Sequence, residues 1–204
     1  MTKPDRTRQW IAAGYLELAK TVPLRKITVQ KLCDHVGVNR STFYYHFDSI
    51  QALIHWIYHT EVNEPVQRKI RIDPAFLTQI SAKVLGSVYR RKEFWQRVLN
   101  LPTSDEFISF MLQDTMENWH QLIQAILKSK GLRYEDLSEN QRLELNYITE
   151  YYCVAHHRVA LLWMQEGMKL PPEQLAAIID DIAMNGFGHA VNKAVERPSE
   201  DPLK

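Results

Sequence analysis

The sequence predicts an all-α protein, with a small three-helix head at the N-terminus and a larger helical body behind it. Three observations predict it. Apolar residues recur with a 3.6-residue period through most of the 204 residues. Only seven glycines occur, and none lies in a Gly-rich phosphate loop. Capping residues, glycines and prolines fall at the ends of the periodic segments, where helices start and stop.

The first helix is expected over 4–20, with Trp10, Ile11, Tyr15, Leu18 and Ala19 on its apolar stripe and Pro23 just past its end. Thr28 is placed to cap a short second helix, whose buried stripe is Val29, Leu32, Cys33 and Val36. Gly37 supplies the left-handed geometry that stops it. Asn39 can cap a third helix over 40–46, and Asp48 or Ser49 a fourth from about 50 to 63, ending near Pro65. Further helices are expected near 74–90, 91–99, 104–129, 140–167 and 172–195, starting or breaking at Pro74, Pro102 and Pro171–Pro172 and ending at Gly131 and Gly167. The expected organisation is residues 1–50 as head, 51–196 as body and 197–204 as a flexible tail.

Composition narrows the function. Hydrophobic residues at 45% are enough for a sizeable core. The net charge of +1 is uninformative, but residues 1–47 carry eight Lys or Arg against three Asp or Glu, while the remainder carries 17 against 21. A basic head on an acidic body points to DNA contact at one end. The two cysteines, Cys33 and Cys153, give neither a disulfide framework nor zinc spacing, and both sit in apolar helical patterns. No apolar leader follows the charged start, and the most hydrophobic stretch, near 147–164, is interrupted by Glu150, His156, His157 and Arg158. A cytoplasmic protein that does not enter the membrane is expected.

The pair of short helices around Gly37-Val38-Asn39 has the spacing of a helix-turn-helix, whose second helix enters the major groove. Val38 is expected to tuck under the pair. Spacing alone is a loose criterion, since any two short helices joined through glycine satisfy it. The residues are more specific. Ile27-Thr28-Val29-Gln30-Lys31-Leu32 followed by Val36-Gly37-Val38-Asn39-Arg40-Ser41-Thr42-Phe43-Tyr44-Tyr45-His46-Phe47 resembles the DNA-binding domain of the TetR family of regulators, over roughly residues 8–60. Trp56-Ile57-Tyr58-His59-Thr60-Glu61 is similar to a branch related to dihydroxyacetone kinase regulators.

That resemblance implies a three-helix DNA-binding head and a helical body that binds a ligand and pairs with a second subunit. Arg40 and Ser41 then open the recognition helix, where an Arg fork matches O6 and N7 of guanine. Thr28, Thr42, Tyr44 and His46 match positions that touch phosphate, and contacts of that kind set register without reading sequence. Tyr45 is placed to meet a thymine methyl or a sugar edge, while Phe43 and Phe47 pack the head. The family usually has a Lys where this chain has Ile50, beside Asp48, so one cationic contact is missing and the salt dependence of binding falls by nearly one unit. The partners implied are a double-stranded operator, a second copy of the chain and a small-molecule effector. The two-fold seam is expected in the last two long helices, from residues such as Tyr147, Tyr151 and Leu162 on one and Ile178, Ile179 and Ile182 on the other, with Gly186 allowing close approach. Effector-binding candidates are Trp56, Trp95, Phe110, Trp119 and Tyr151, aromatics that would equally fill a dry core.

No nucleophile–base set or cofactor motif is visible, so no enzyme, catalytic residue or cofactor is expected. His55 and His59 stand one helical turn apart but lack a third ligand, and no metal site is assigned. His156–His157 fits either a pocket or a subunit seam. Asp180–Asp181 reads as a solvated helix face. The expectation is a ligand-switched DNA-binding regulator, a repressor by resemblance. The alternative is a TetR-like coactivator that binds DNA weakly and acts through a partner protein.

Overall fold

The structure is a computed structural model that describes residues 3–70 and 79–196. Every regular element among them is helical. Helix α1 (Lys3–Thr21) runs to a 3-10 turn at Leu24–Lys26, followed by α2 (Val29–Val36), α3 (Arg40–His46) and α4 (Ile50–Tyr58). A π-helical turn, His59–Asn63, leads into α5 (Glu64–Ile70). The body continues with α6 (Ile80–Tyr89), α7 (Lys92–Leu99), α8 (Ser104–Ser129), α9 (Glu139–Gln165) and α10 (Pro172–Glu196). The expected helix start near Pro74, the side chain of Ala183 and the expected tail 197–204 lie outside the described residues.

Local chemistry sets these ends. The Thr28 hydroxyl accepts the Lys31 amide at 3.2 Å, and Asn39 and Ser49 cap α3 and α4 in the same way. Ser49 rather than Asp48 is therefore the cap of α4. Gly37 has φ of 71°, and the Val38 amide beyond it donates to the Cys33 carbonyl at 3.1 Å, closing α2. Ser138 and Gln141 form a reciprocal capping box at the start of α9. The fourth helix departs from expectation. Its regular α geometry stops at Tyr58, yet the chain stays helical through Pro65, which falls in the first turn of α5, where a missing amide is tolerated.

The core is continuous from head to body. Ile11, Tyr15, Leu32, Phe43 and Leu53 are sealed together, and the same cluster runs on through Tyr58, Trp95 and Met164. A second cluster, around Ile123, Leu145, Phe187 and Val191, fills the far end of the body. Gly14 of α1 meets α2 so closely that a Cβ there would lie 2.0 Å from Val36 Cγ1. Gly186 does the same inside the subunit: its added Cβ would lie 2.1 Å from the Tyr152 hydroxyl. The close approach expected of Gly186 at a two-fold seam is thus an approach of α10 to α9 of the same chain.

Helix α7 ties the two parts together. Arg97 donates to the carbonyls of Ala19 and, at 2.7 Å, Val22, so one guanidinium caps the C-terminal end of α1. Phe94 packs edge-on against Tyr15 at 6.2 Å. Arg91 holds Glu61, in the π turn, through a two-pronged ion pair with one bond of 2.8 Å. No helix among the described residues is long and apolar enough to cross a membrane.

Candidate nucleic-acid interface and body cavity

The outer face of α3 displays exposed aromatic and cationic groups together. Phe43 is wholly buried and anchors the helix, its ring 5.8 Å from Phe47. That anchor turns Arg40, Ser41, Tyr44 and Tyr45 outward, with Tyr45 78% exposed. The Arg40 guanidinium stands 5.8 Å over the Tyr44 ring. The contact leaves its fork free to engage a base edge. Thr28 is exposed, and because its oxygen accepts the Lys31 amide its hydroxyl proton remains to donate to a phosphate.

Ser41 and Thr42 behave differently. Asn39 Oδ1 accepts from the Thr42 amide, the Thr42 hydroxyl and the Ser41 hydroxyl, each at 2.7 Å. Both hydroxyl protons are therefore spent on the cap, and either must let go of Asn39 to donate to DNA. His46 is half-buried with its ring edge-on to Tyr45 at 4.9 Å. Burial, then the charge of Arg8, pushes its pKa down, so at neutral pH it brings one N–H and no charge. Ile50 is half-buried and packs against the core, which accounts for an apolar residue at that place. Asp48 beside it is exposed.

The body holds a cavity of about 500 Å³, walled by α6, α8, α9 and α10 together with Tyr58 and Asn63. Leu85, Met111, Trp119, Ile179 and Phe187 supply much of its apolar lining. Of the five aromatics expected to bind an effector, Trp119 lines this cavity, packed edge-on against Phe187 at 4.7 Å. Trp56 lines a separate open groove between α1 and the π turn. Trp95 is 0% exposed and stacks on Phe107 at 5.6 Å, inside the core. Phe110 is half-buried with the His55 ring flat against it at 4.3 Å. Tyr151 stands 72% exposed on the outside of α9. Trp95, Phe110 and Tyr151 thus do not line the cavity, because helical spacing places an aromatic on a face without saying which neighbour that face meets.

Other residues take their place. His156 and His157 both line the cavity, as does Asp180, which is half-buried rather than part of a solvated face. Beside the cavity runs a polar chain for which the sequence gives no local signal. His59 Nδ1 donates to Asp114 Oδ1 at 2.8 Å, Asn63 donates to the other Asp114 oxygen, and Asn118 donates to Asn63 Oδ1 at 3.1 Å. The bond to Asp114 raises the pKa of His59. That bond is at full strength below the ordinary imidazole pKa and weakens as pH climbs through the raised value. No group of three or more His, Cys, Asp or Glu among the described residues could hold a metal ion.

Comparisons with known proteins agree with this geometry. Residues 12–57 match the family described as bacterial regulatory proteins, tetR family, and residues 77–185 match a transcriptional regulator C-terminal region. Among solved structures the chain is similar to the dihydroxyacetone kinase operon activator DhaS, with a TM-score of 0.64 and 19% identity over 90% of this chain and 97% of that one. It is also similar to a tetR-family transcriptional regulator from Streptomyces coelicolor (TM-score 0.56, 15% identity, 99% and 94% covered). A third is Thermus thermophilus FadR, a TetR-family repressor in complex with lauroyl-CoA (TM-score 0.56, 15% identity, 97% and 100% covered). At these identities the likeness is one of fold. A search among curated proteins finds no significant match.

Proposed function

Since the chain belongs to the TetR family of bacterial regulatory proteins, we propose that this transcriptional regulator is a homodimeric repressor whose grip on an operator is switched by a small molecule in the body cavity. One observation carries the reading. A recognition helix held from inside by Phe43 and from its end by Asn39 shares one continuous core with a body that carries a half-open, largely apolar cavity. Thr28, Arg40, Tyr44 and Tyr45 are the DNA-contacting residues of the free surface, with Ser41, Thr42 and His46 joining once α3 is docked. Trp119 is the aromatic that reports on the effector. FadR, of the same fold, is a repressor solved with an acyl-CoA, and that supports both halves of the proposal.

Dimerisation is supported by the surface. Leu143, Tyr147, Tyr151, Val154 and Leu162 form an exposed apolar stripe along α9, and Ile178 and Ile182 form another on the adjoining α10. Exposed apolar stripes on neighbouring helices mark an interaction face. Two copies joined there in a four-helix bundle present two α3 helices to successive major grooves.

Arg40→Ala tests the DNA half. It is expected to cost about 1–3 kcal/mol on a cognate site and to relax preference at one base pair. Ile50→Lys is expected to tighten binding to every sequence and to steepen its salt dependence by about one unit, since a lysine there can keep its stem on the core and its ammonium in water. Shift assays at fixed and varied salt measure both. Unchanged specific binding by Arg40→Ala would show that α3 is not the reading helix.

The second reading, a coactivator that acts through a partner protein, draws on Ile50 as the missing cation and on DhaS, an activator of the same fold. Retention on heparin distinguishes the two. Early elution, brought late by Ile50→Lys, favours the coactivator.

A further inference from the structure

The polar chain beside the cavity has a direction, and that direction selects the kind of molecule the cavity takes. The Asp114 carboxylate can only accept, so the Asn63 side chain must present its amide nitrogen to it and turn its oxygen the other way. That oxygen in turn requires the amide nitrogen of Asn118. Asn118 Oδ1 is left over. It is buried without a partner, on a residue that is 8% exposed and lines the cavity. An orphaned buried carbonyl is costly unless something donates to it.

Two further walls show the same polarity. His156 Nδ1 lies 2.6 Å from the Tyr152 carbonyl, which fixes the ring proton on Nδ1 and leaves Nε2 as a bare acceptor. Burial pushes the pKa of His156 down, so the ring is neutral at neutral pH. Asp180 accepts from Ser81, and burial pushes its pKa up, opposed by that bond and by the nearby His156. Three of the wall's donors are turned onto the protein: Ser81 onto Asp180, the Thr115 hydroxyl onto the Met111 carbonyl at 2.7 Å, the Asn118 amide onto Asn63. His157 and the Tyr58 hydroxyl can act either way and favour neither polarity. The lining also includes Lys130, which is exposed just past the end of α8.

We propose that the cavity takes an organic amine, an apolar body carrying a protonated ammonium group, with Asn118 Oδ1, His156 Nε2 and the Asp180 carboxylate as the acceptors that recognise it. An ammonium has three donors and no acceptor, the complement of these three groups. Trp119 and Phe187 line the same cavity, and aromatic rings attract a cation. A carboxylate or acyl ligand would instead set its own lone pairs against those of Asp180 and Asn118. The inference rests on the cavity being an effector site. It also gives that site a route to the head, because Asn118 connects through Asn63 and Asp114 to His59 in the π turn that continues α4.

The test uses the full chain and two matched sets of probes at neutral pH: octylamine, octanol and octanoate, and phenethylamine, phenethyl alcohol and phenylacetate. Titration calorimetry and Trp fluorescence read the binding. In at least one set the amine is expected to bind about tenfold or more tightly than its alcohol and its acid. Asp180→Asn is expected to remove most of that margin while leaving the alcohol within about twofold. His156→Phe, which keeps a ring against Trp119, is expected to narrow it in the same direction and stands in if Asp180→Asn does not fold. The proposal is overturned if an acid equals or beats its amine, if neither amine binds, or if both folded variants keep the full margin. DNA affinity measured with the bound amine separates the two readings. An amine preference without any change in DNA affinity keeps the ligand class and removes the switch.

Discussion

A protein carrying Ile178→Asp together with Ile182→Asp is expected to run as a folded monomer of 23.9 kDa and to lose on the order of a hundredfold to ten-thousandfold in operator affinity. The two side chains are 52% and 61% exposed and sit one turn apart on α10, so two carboxylates cost the free subunit little. In a dimer they would be buried facing each other across the two-fold axis, each without a partner. Affinity falls because the second head no longer arrives already tethered to the first. The choice of residues matters. Ile179, next to them and expected from the sequence to belong to the same seam, is 6% exposed, packs in the subunit's own core and lines the cavity. Ile179→Asp is expected to unfold the body instead. Light scattering and circular dichroism on both variants separate the outcomes. A dimer that survives Ile178→Asp with Ile182→Asp places the interface elsewhere.

Gly14→Ala is expected to destabilise the head by an amount near the top of the ~1–3 kcal/mol range for overpacking. The methyl would lie 2.0 Å from Val36 Cγ1, well inside contact distance. Val36 is buried, and a β-branched side chain in a helix has essentially one rotamer to offer, so it cannot swing aside. Helix α2 must then move off α1, and α3 moves with it. Val36→Ala in the same chain removes the obstructing methyls and is expected to recover much of the loss. Denaturant unfolding of the single and double variants measures the coupling. Equal stability of Gly14→Ala and the parent would mean that α1 and α2 pack less closely than described.

The head was the legible part. Thr28, Gly37 and Asn39 act through their own backbone neighbours, so short-range pattern was enough to place α2 and α3 and to turn Arg40, Tyr44 and Tyr45 outward while burying Phe43. The body was legible in its helices and not in their docking. Tyr151 and Tyr152 are adjacent aromatics on α9, yet one faces outward and the other packs on Phe187 at 5.1 Å. Which face meets which neighbour depends on the crossing of helices distant in sequence. For the same reason the pairing of Asn63 with Asn118, 55 residues apart, leaves no trace in local spacing. Gly14 was silent too, because a glycine inside a helical run does not announce that another helix approaches it. The π turn leaves no sequence signal either, because nothing in the residues of His59–Asn63 sets them apart from an ordinary helix.

The central claim is that two copies of α3, held by one dimer, read a two-fold operator. It is tested most directly by selecting bound sequences from a random DNA pool with the intact protein and sequencing them. The account predicts an inverted repeat with half-sites about 34–36 Å apart, one turn of the double helix, or a multiple of that. It also predicts that Arg40→Ala relaxes one symmetric pair of positions in that motif. Enrichment of no motif, or of a single half-site that survives Arg40→Ala unchanged, would contradict it.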